Sequence, residues 1–211
     1  MNPIPGLHHV TALASDPQQN LDFYAGRLGL RLVKRTVNFD DPATYHLYYG
    51  DDAGHPGTIL TFFPWPGAPR GRAGTGQTTA TSFAVPPASI EWWMDFLARH
   101  AIDFGPPELR FGARTLPFLD PDGLALELVE LAEPPDPTRR AASAIPPQHA
   151  IHGFHGVTLT VSGFERTAAV LTESLGYRAT EVEGDRRRFV SATATPDAVV
   201  DVICAPELRA G

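Results

Sequence analysis

Cysteine is almost absent from this sequence: Cys204 is the sole example in 211 residues. An internal disulfide is thereby excluded, and a reducing, cytoplasmic setting is the expectation. Long apolar runs are missing as well. No stretch approaches the ~20 residues that a membrane-spanning helix needs, so a membrane is not an expected partner. The opening Met1-Asn2-Pro3-Ile4-Pro5 has neither the basic region nor the apolar run of a secretory signal. Basic residues are in the minority, with Lys plus Arg at 17 against Asp plus Glu at 24 and a formal net charge of −7. That balance argues against nucleic acid or an anionic lipid surface as the main partner.

What the sequence has in quantity is proline and glycine, 21 and 19 residues, clustered at joints. It also repeats itself. Gly6-Leu7-His8-His9-Val10-Thr11 returns as Gly153-Phe154-His155-Gly156-Val157-Thr158, and Leu28-Gly29-Leu30-Arg31 returns as Leu175-Gly176-Tyr177-Arg178. Both matches share one spacing without a gap, which marks a repeated structural unit. The first copy holds two adjacent histidines, and the second has Gly156 in the place of His9.

The unit reads β-α-β-β-β. Residues 7–14 form a strand closed by Ser15-Asp16-Pro17, and Leu21, Tyr24, Leu28 and Leu30 give a helical stripe that stops at Gly29. Strands over 31–39, 44–49 and 58–63 follow, separated by Asp-Pro and Gly-rich breakers. A second unit has a strand at 78–85, a helix at 90–100 bearing Trp92 and Trp93, and further short strands ending at 124–129. The two tryptophans read as packed before they read as ligand stackers. A third unit has a strand at 155–161, a helix at 164–175, and strands at 177–183, 186–192 and 198–203. The expected organisation is α+β: module one over 1–66, module two over 75–132, an extended proline-stiffened linker over 133–150, and module three over 151–211. Residues 208–211 resemble the start of another inter-module joint.

Alternation on a strand places His9 with Leu7, Thr11 and Leu13, and His8 with Val10 and Ala12 on the other face. The pair reads equally as one packed and one solvated ring or as a source of a metal ligand. A reactive non-haem metal site needs two imidazoles and a carboxylate together. Matching strand patterns puts His9, Ala80 and Gly156 in equivalent places, and likewise Thr61, Glu127 and Asp201. Module one thus has a histidine without an acid, and the other two have acids without histidines. Glu127 and Asp201 are expected to be solvated or hydrogen-bonded within their own modules. His46 reads as a core residue of an aromatic strand, and Arg186-Arg187-Arg188 as a solvated edge. Gly71-Arg72-Ala73-Gly74-Thr75-Gly76 lacks the ending of a phosphate loop and reads as a joint. Cys204 receives no catalytic role.

Taken together these features resemble the vicinal oxygen chelate superfamily, whose βαβββ modules pair to form metal-holding cups. The nearer likeness is to its hydroquinone-type ring-cleaving dioxygenases. It is carried by residues 6–11, by Arg31-Leu32-Val33-Lys34-Arg35-Thr36-Val37-Asn38-Phe39-Asp40-Asp41, by Tyr45-His46-Leu47-Tyr48, by Pro56-Gly57-Thr58 with Thr61-Phe62-Phe63-Pro64, and by Gly153-Phe154-His155. The resemblance implies an Fe(II)-dependent extradiol-type enzyme, with Mn(II) or another divalent ion as the alternative metal. Its substrates would be dioxygen and a small aromatic hydroquinone or catechol. It implies His9 as a metal ligand and His8 and Thr11 beside it. Such enzymes draw a second histidine and a glutamate from a fourth module, which is not seen here, so the 211 residues are expected to hold one ligand of three. A glyoxalase-type metal-dependent lyase or isomerase, and a non-catalytic small-molecule-binding resistance protein, are the rival readings. An uncovered cup side, expected around Leu7, Val33 and Leu60, predicts a homo-oligomer.

Overall fold

A computed structural model describes residues 4–133, 136–192 and 198–211. Residues 1–3 of module one, 134–135 of the proline-rich linker and 193–197 of module three lie outside the described residues.

The first unit comprises β1 (His9–Ala14), α1 (Pro17–Leu21), β2 (Arg31–Val37), β3 (Tyr45–Gly50) and β4 (Ile59–Pro64). Asp16 caps α1 by accepting from the Gln19 amide at 2.7 Å, and Pro17 fills a first-turn position whose N–H would be unpaired. Thus Ser15-Asp16-Pro17 starts the helix rather than merely turning the chain. The helix widens into a π turn over Asp22–Arg27, where the Leu28 amide donates to the Phe23 carbonyl at 2.9 Å. Gly29 then reverses the chain at φ +71°. The repeat reproduces this device: α3 (Phe164–Ala169) widens over Val170–Ser174, and Gly176 turns at φ +74°.

The second unit is β5 (Gln77–Val85), α2 (Ile90–Arg99), β6 (Glu108–Arg110), β7 (Ala113–Leu119) and β8 (Ala125–Glu130). The third is β9 (Phe154–Val161), α3, β10 (Tyr177–Glu183), β11 (Arg186–Ser191) and β12 (Val199–Cys204). All three share one strand order: first, last, third, second. The first and last strands run parallel in each, with Thr11 opposite Thr61, Ser82 opposite Glu127 and Thr158 opposite Asp201. The first unit is a separate four-stranded sheet. The other two fuse through antiparallel β5 and β9 into one eight-stranded sheet. Among the described residues no strand pairs with the outer edge of β1.

One core runs through the first and second units and includes Tyr24, Phe62, Phe83, Trp93 and Phe118, all fully or nearly fully buried. A smaller core around Val157, Leu171, Phe189 and Val202 serves the third. Trp93 is fully buried, and its indole N–H donates to the His149 carbonyl at 2.9 Å. The segment between the second and third units is less extended than its prolines suggest. It contains 3-10 turns at Pro137–Arg139 and Pro147–His149, and Ile145 and Ala150 enter the core. Leu60 is fully buried in the core rather than on an uncovered face, and Leu7 packs against the third unit's core.

Candidate functional site

β1 divides its residues as alternation requires. Val10 and Ala12 pack toward the core, while His9, Thr11 and Leu13 stand exposed on the opposite face. His8 precedes the strand, and its Nδ1 lies 3.1 Å from that of His9, with the two rings edge to face. Both imidazoles are exposed. Beside this edge runs an apolar groove of about 480 Å³, with Leu7, Val157, Leu159 and Tyr177 in its walls and His8 and His9 at its rim.

The neighbouring strands add a polar chain to the His9 face. Thr11 Oγ1 is 2.9 Å from Thr61 Oγ1, and Thr61 Oγ1 is 3.1 Å from His46 Nε2. His46 Nδ1 in turn is 2.9 Å from the Tyr48 hydroxyl. His46 stacks on Phe63 at 3.9 Å, and the Lys34 ammonium lies over the Tyr48 ring at 5.3 Å. His46 is therefore a half-buried member of the open face, not a core residue. Burial, then the charges of Lys34 and His9, push its pKa below the ordinary imidazole value and favour the neutral ring. Thr61, Tyr48 and Lys34 carried no expectation of a site role from sequence. The available signal was the two-residue spacing of His46 and Tyr48, which puts both on one face of a strand.

The equivalent cup of the eight-stranded sheet holds different chemistry. Glu127 accepts from the Ser82 hydroxyl at 2.6 Å and from Arg110 at 2.7 Å. Asp201 takes two hydrogen bonds from Arg188, at 2.9 and 3.0 Å, and one from Arg186 at 3.2 Å. Both carboxylates are buried and satisfied within their own modules. Arg186 and Arg188 are nearly covered, so the expectation of a solvated arginine edge is overturned: β12 places Asp201 between them, and paired guanidinium can be buried. Only Arg187 keeps an outward position, over the Phe164 ring at 3.9 Å. Nor does this cup have room for a histidine at Gly156, one of its two positions equivalent to His9. A Cβ on Gly156 would collide with the Val199 backbone on the adjacent strand.

Among the described residues no three His, Cys, Asp or Glu side chains gather as metal ligands. Thr61 stands where the other two modules carry acids, and the His9 face supplies a single imidazole from β1. These residues alone do not fit a complete three-ligand metal centre. No helix is long and apolar enough to cross a membrane among the described residues.

Comparison with known proteins agrees with this architecture. A "Putative ring-cleaving dioxygenase MhqO" of Bacillus subtilis is 46% identical over 187 residues, which is 89% of this chain and 59% of that protein. A "Chlorohydroquinone/hydroquinone 1,2-dioxygenase" of Sphingobium indicum is 30% identical over 211 residues, covering 99% of this chain and 66% of that protein. A crystal structure of a "putative dioxygenase" from Bacillus subtilis superposes with a TM-score of 0.92 at 42% identity, over 99% of this chain and 66% of that one. The chain thus spans about three fifths to two thirds of the length of the curated relatives it matches. Residues 6–128 match the model of one family, and with the three βαβββ units this shows that the chain belongs to the Glyoxalase/Bleomycin resistance protein/Dioxygenase superfamily.

Proposed function

We propose that the His9 face is one half of a ring-cleaving dioxygenase site acting on hydroquinones or catechols with dioxygen. The observation that carries this reading is the exposed His9 imidazole on the open face of an edge strand, with the Thr11 hydroxyl on the same face. The names of the relatives supply the reaction class. His9 is the proposed metal ligand, Fe(II) the proposed metal, with Mn(II) as the alternative. Thr11 and His8 are the proposed neighbours of the reacting group. The missing imidazole and carboxylate would come from sequence corresponding to the remaining third of the longer relatives, docked against β1. What the chain's own residues do is narrower: His9 offers one nitrogen donor, Thr11 a hydroxyl, and Phe63 and Leu13 an apolar floor. The lone cysteine and acidic surface suit a cytoplasmic enzyme.

The test compares this chain with the same chain extended by the C-terminal third of the Bacillus relative MhqO. Anaerobic calorimetry would measure Fe(II) binding, and an oxygen electrode would follow hydroquinone-dependent uptake. The extended protein should bind iron and consume oxygen. His9→Ala should weaken its iron affinity by at least about a hundredfold, equivalent to ~2.7 kcal/mol. Glutathione-dependent isomerisation without oxygen uptake would refute the proposal, as would full activity in His9→Ala.

A further inference from the structure

Four hydrogen-bonding groups in a row, all on one exposed sheet face, have a property that no single group has: their direction can reverse. We propose that Thr11, Thr61, His46 and Tyr48 form a reversible hydrogen-bond relay that carries a proton from a phenolic hydroxyl held beside His9 to solvent at Tyr48. The proposal rests on the ring-cleaving reading for its ligand class, and it assigns His46, Thr61 and Tyr48 as positioning residues acting through Thr11.

The geometry supplies three links, at 2.9 Å between the threonine hydroxyls, 3.1 Å from Thr61 to His46 Nε2, and 2.9 Å from His46 Nδ1 to Tyr48. All lie within hydrogen-bonding range. Each group can donate and accept, because a neutral imidazole offers one N–H and one lone pair, and a hydroxyl offers both. Two arrangements satisfy every link. In one, Thr11 donates to Thr61, Thr61 donates to Nε2, and Nδ1–H donates to Tyr48, whose hydrogen points outward. In the other, Tyr48 donates to Nδ1, Nε2–H donates to Thr61, and Thr61 donates to Thr11, whose hydrogen points into the open face.

Passage between them balances. A phenol O–H donating to Thr11 gives up its proton, Thr11 passes its own to Thr61, and Thr61 passes its own to Nε2. Nδ1 then passes its proton to Tyr48, and Tyr48 releases one to water. Every relay member ends neutral, the ligand becomes a phenolate, and Thr11 now donates to the phenolate oxygen. The imidazole is held for this use: Phe63 stacks on one face, and burial, then the charge of Lys34, opposes a second ring proton. Thr61 is buried at 1% exposure, so water does not replace the middle link. Thr11 is exposed, so the ligand end is open.

The relay predicts a spectroscopic signature that needs neither metal nor turnover. The 211-residue chain, labelled with nitrogen-15 in histidine, would be titrated with phenol and with 4-nitrophenol at a pH where the first is un-ionised and the second ionised. Un-ionised phenol should put the His46 proton on Nδ1, and 4-nitrophenolate should put it on Nε2, read as an exchange of the two ring-nitrogen shifts. Thr61→Val, close to isosteric, should abolish the response. Tyr48→Phe, which removes the acceptor for an Nδ1 proton, should hold Nε2–H with both ligands. The relay is overturned if the tautomer ignores ligand charge in the native chain, or still follows it in Thr61→Val. It is equally overturned if neither ligand perturbs the Thr11 methyl resonance. The ring-cleaving reading is judged separately, by iron and oxygen in the extended protein.

Discussion

Glu127 shows how one residue changes meaning between equivalent cups. In the eight-stranded sheet it is buried, with Ser82 and Arg110 satisfying its oxygens, whereas Thr61 takes the same strand position in the first unit. Removing one partner from a buried pair leaves an uncompensated charge, which costs far more than breaking a solvated one. Glu127→Ala should therefore lower unfolding stability by ~3 kcal/mol, by the same reasoning. Glu108→Ala, whose side chain also meets Arg110 but is half exposed, should cost under ~1 kcal/mol. Urea titrations of the two variants decide it, and equal losses would contradict the assignment. Asp51 makes a prediction about acid. Burial pushes its carboxyl up, but hydrogen bonds from the His55 ring and from backbone amides outweigh that and hold it below the usual value. A depressed folded-state value gives stability that is present above the unfolded value and lost as pH falls through the folded one. Asp51→Asn should thus flatten the stability profile below about pH 4, where an ordinary aspartate titrates, and change the slope near neutrality little.

At the scale of elements, the helix endings explain why the Leu-Gly motif repeats. Both helices loosen into a π turn and need a residue at positive φ to start the next strand. Gly29 carries a second constraint, since a Cβ there would meet Ser143 Oγ at 2.6 Å and Ile145 at 2.7 Å. Gly29→Ala should cost ~1–2 kcal/mol from backbone strain and more from displacing the 143–145 segment, measured as a lower denaturation midpoint. Strands and helices were largely legible from sequence because period-two and helical patterns, Gly29 and the Asp-Pro breakers are local signals. The His9–Thr11 face was legible for the same reason. The buried fates of Arg186 and Arg188 were not, because they depend on β12 setting Asp201 between them, a pairing across 13 residues or more. His46 escaped for a related reason. Its aromatic neighbours suggest a core strand, and only the strand register, which sets Tyr48 opposite Thr61 and Thr61 opposite Thr11, shows that His46 shares the face of His9.

Across the whole molecule, the decisive contrast is between β5 and β1. β5 and β9 meet antiparallel, with Thr81 opposite Val157, the positions equivalent to Val10 in the other two units, so the fused sheet is nearly symmetric about that point. β1 presents the same edge with no strand on it among the described residues. Exposed apolar side chains lie on and beside this edge: Leu13 is 59% exposed, and Trp65, whose amide donates to the Ala14 carbonyl, is 50% exposed. An open edge beside exposed apolar side chains is a template for pairing. The chain alone should therefore self-associate, giving dimers or larger species in sedimentation velocity at micromolar concentration. Leu13→Lys places a charge on the open face at a site that contributes little to the core, so it should shift the distribution toward monomer while moving the unfolding midpoint little. A native chain that stays monomeric and binds no hydrophobic dye would refute the expectation. Extension by the relatives' remaining third should suppress association in the native sequence, because the same edge would then be covered from within one polypeptide.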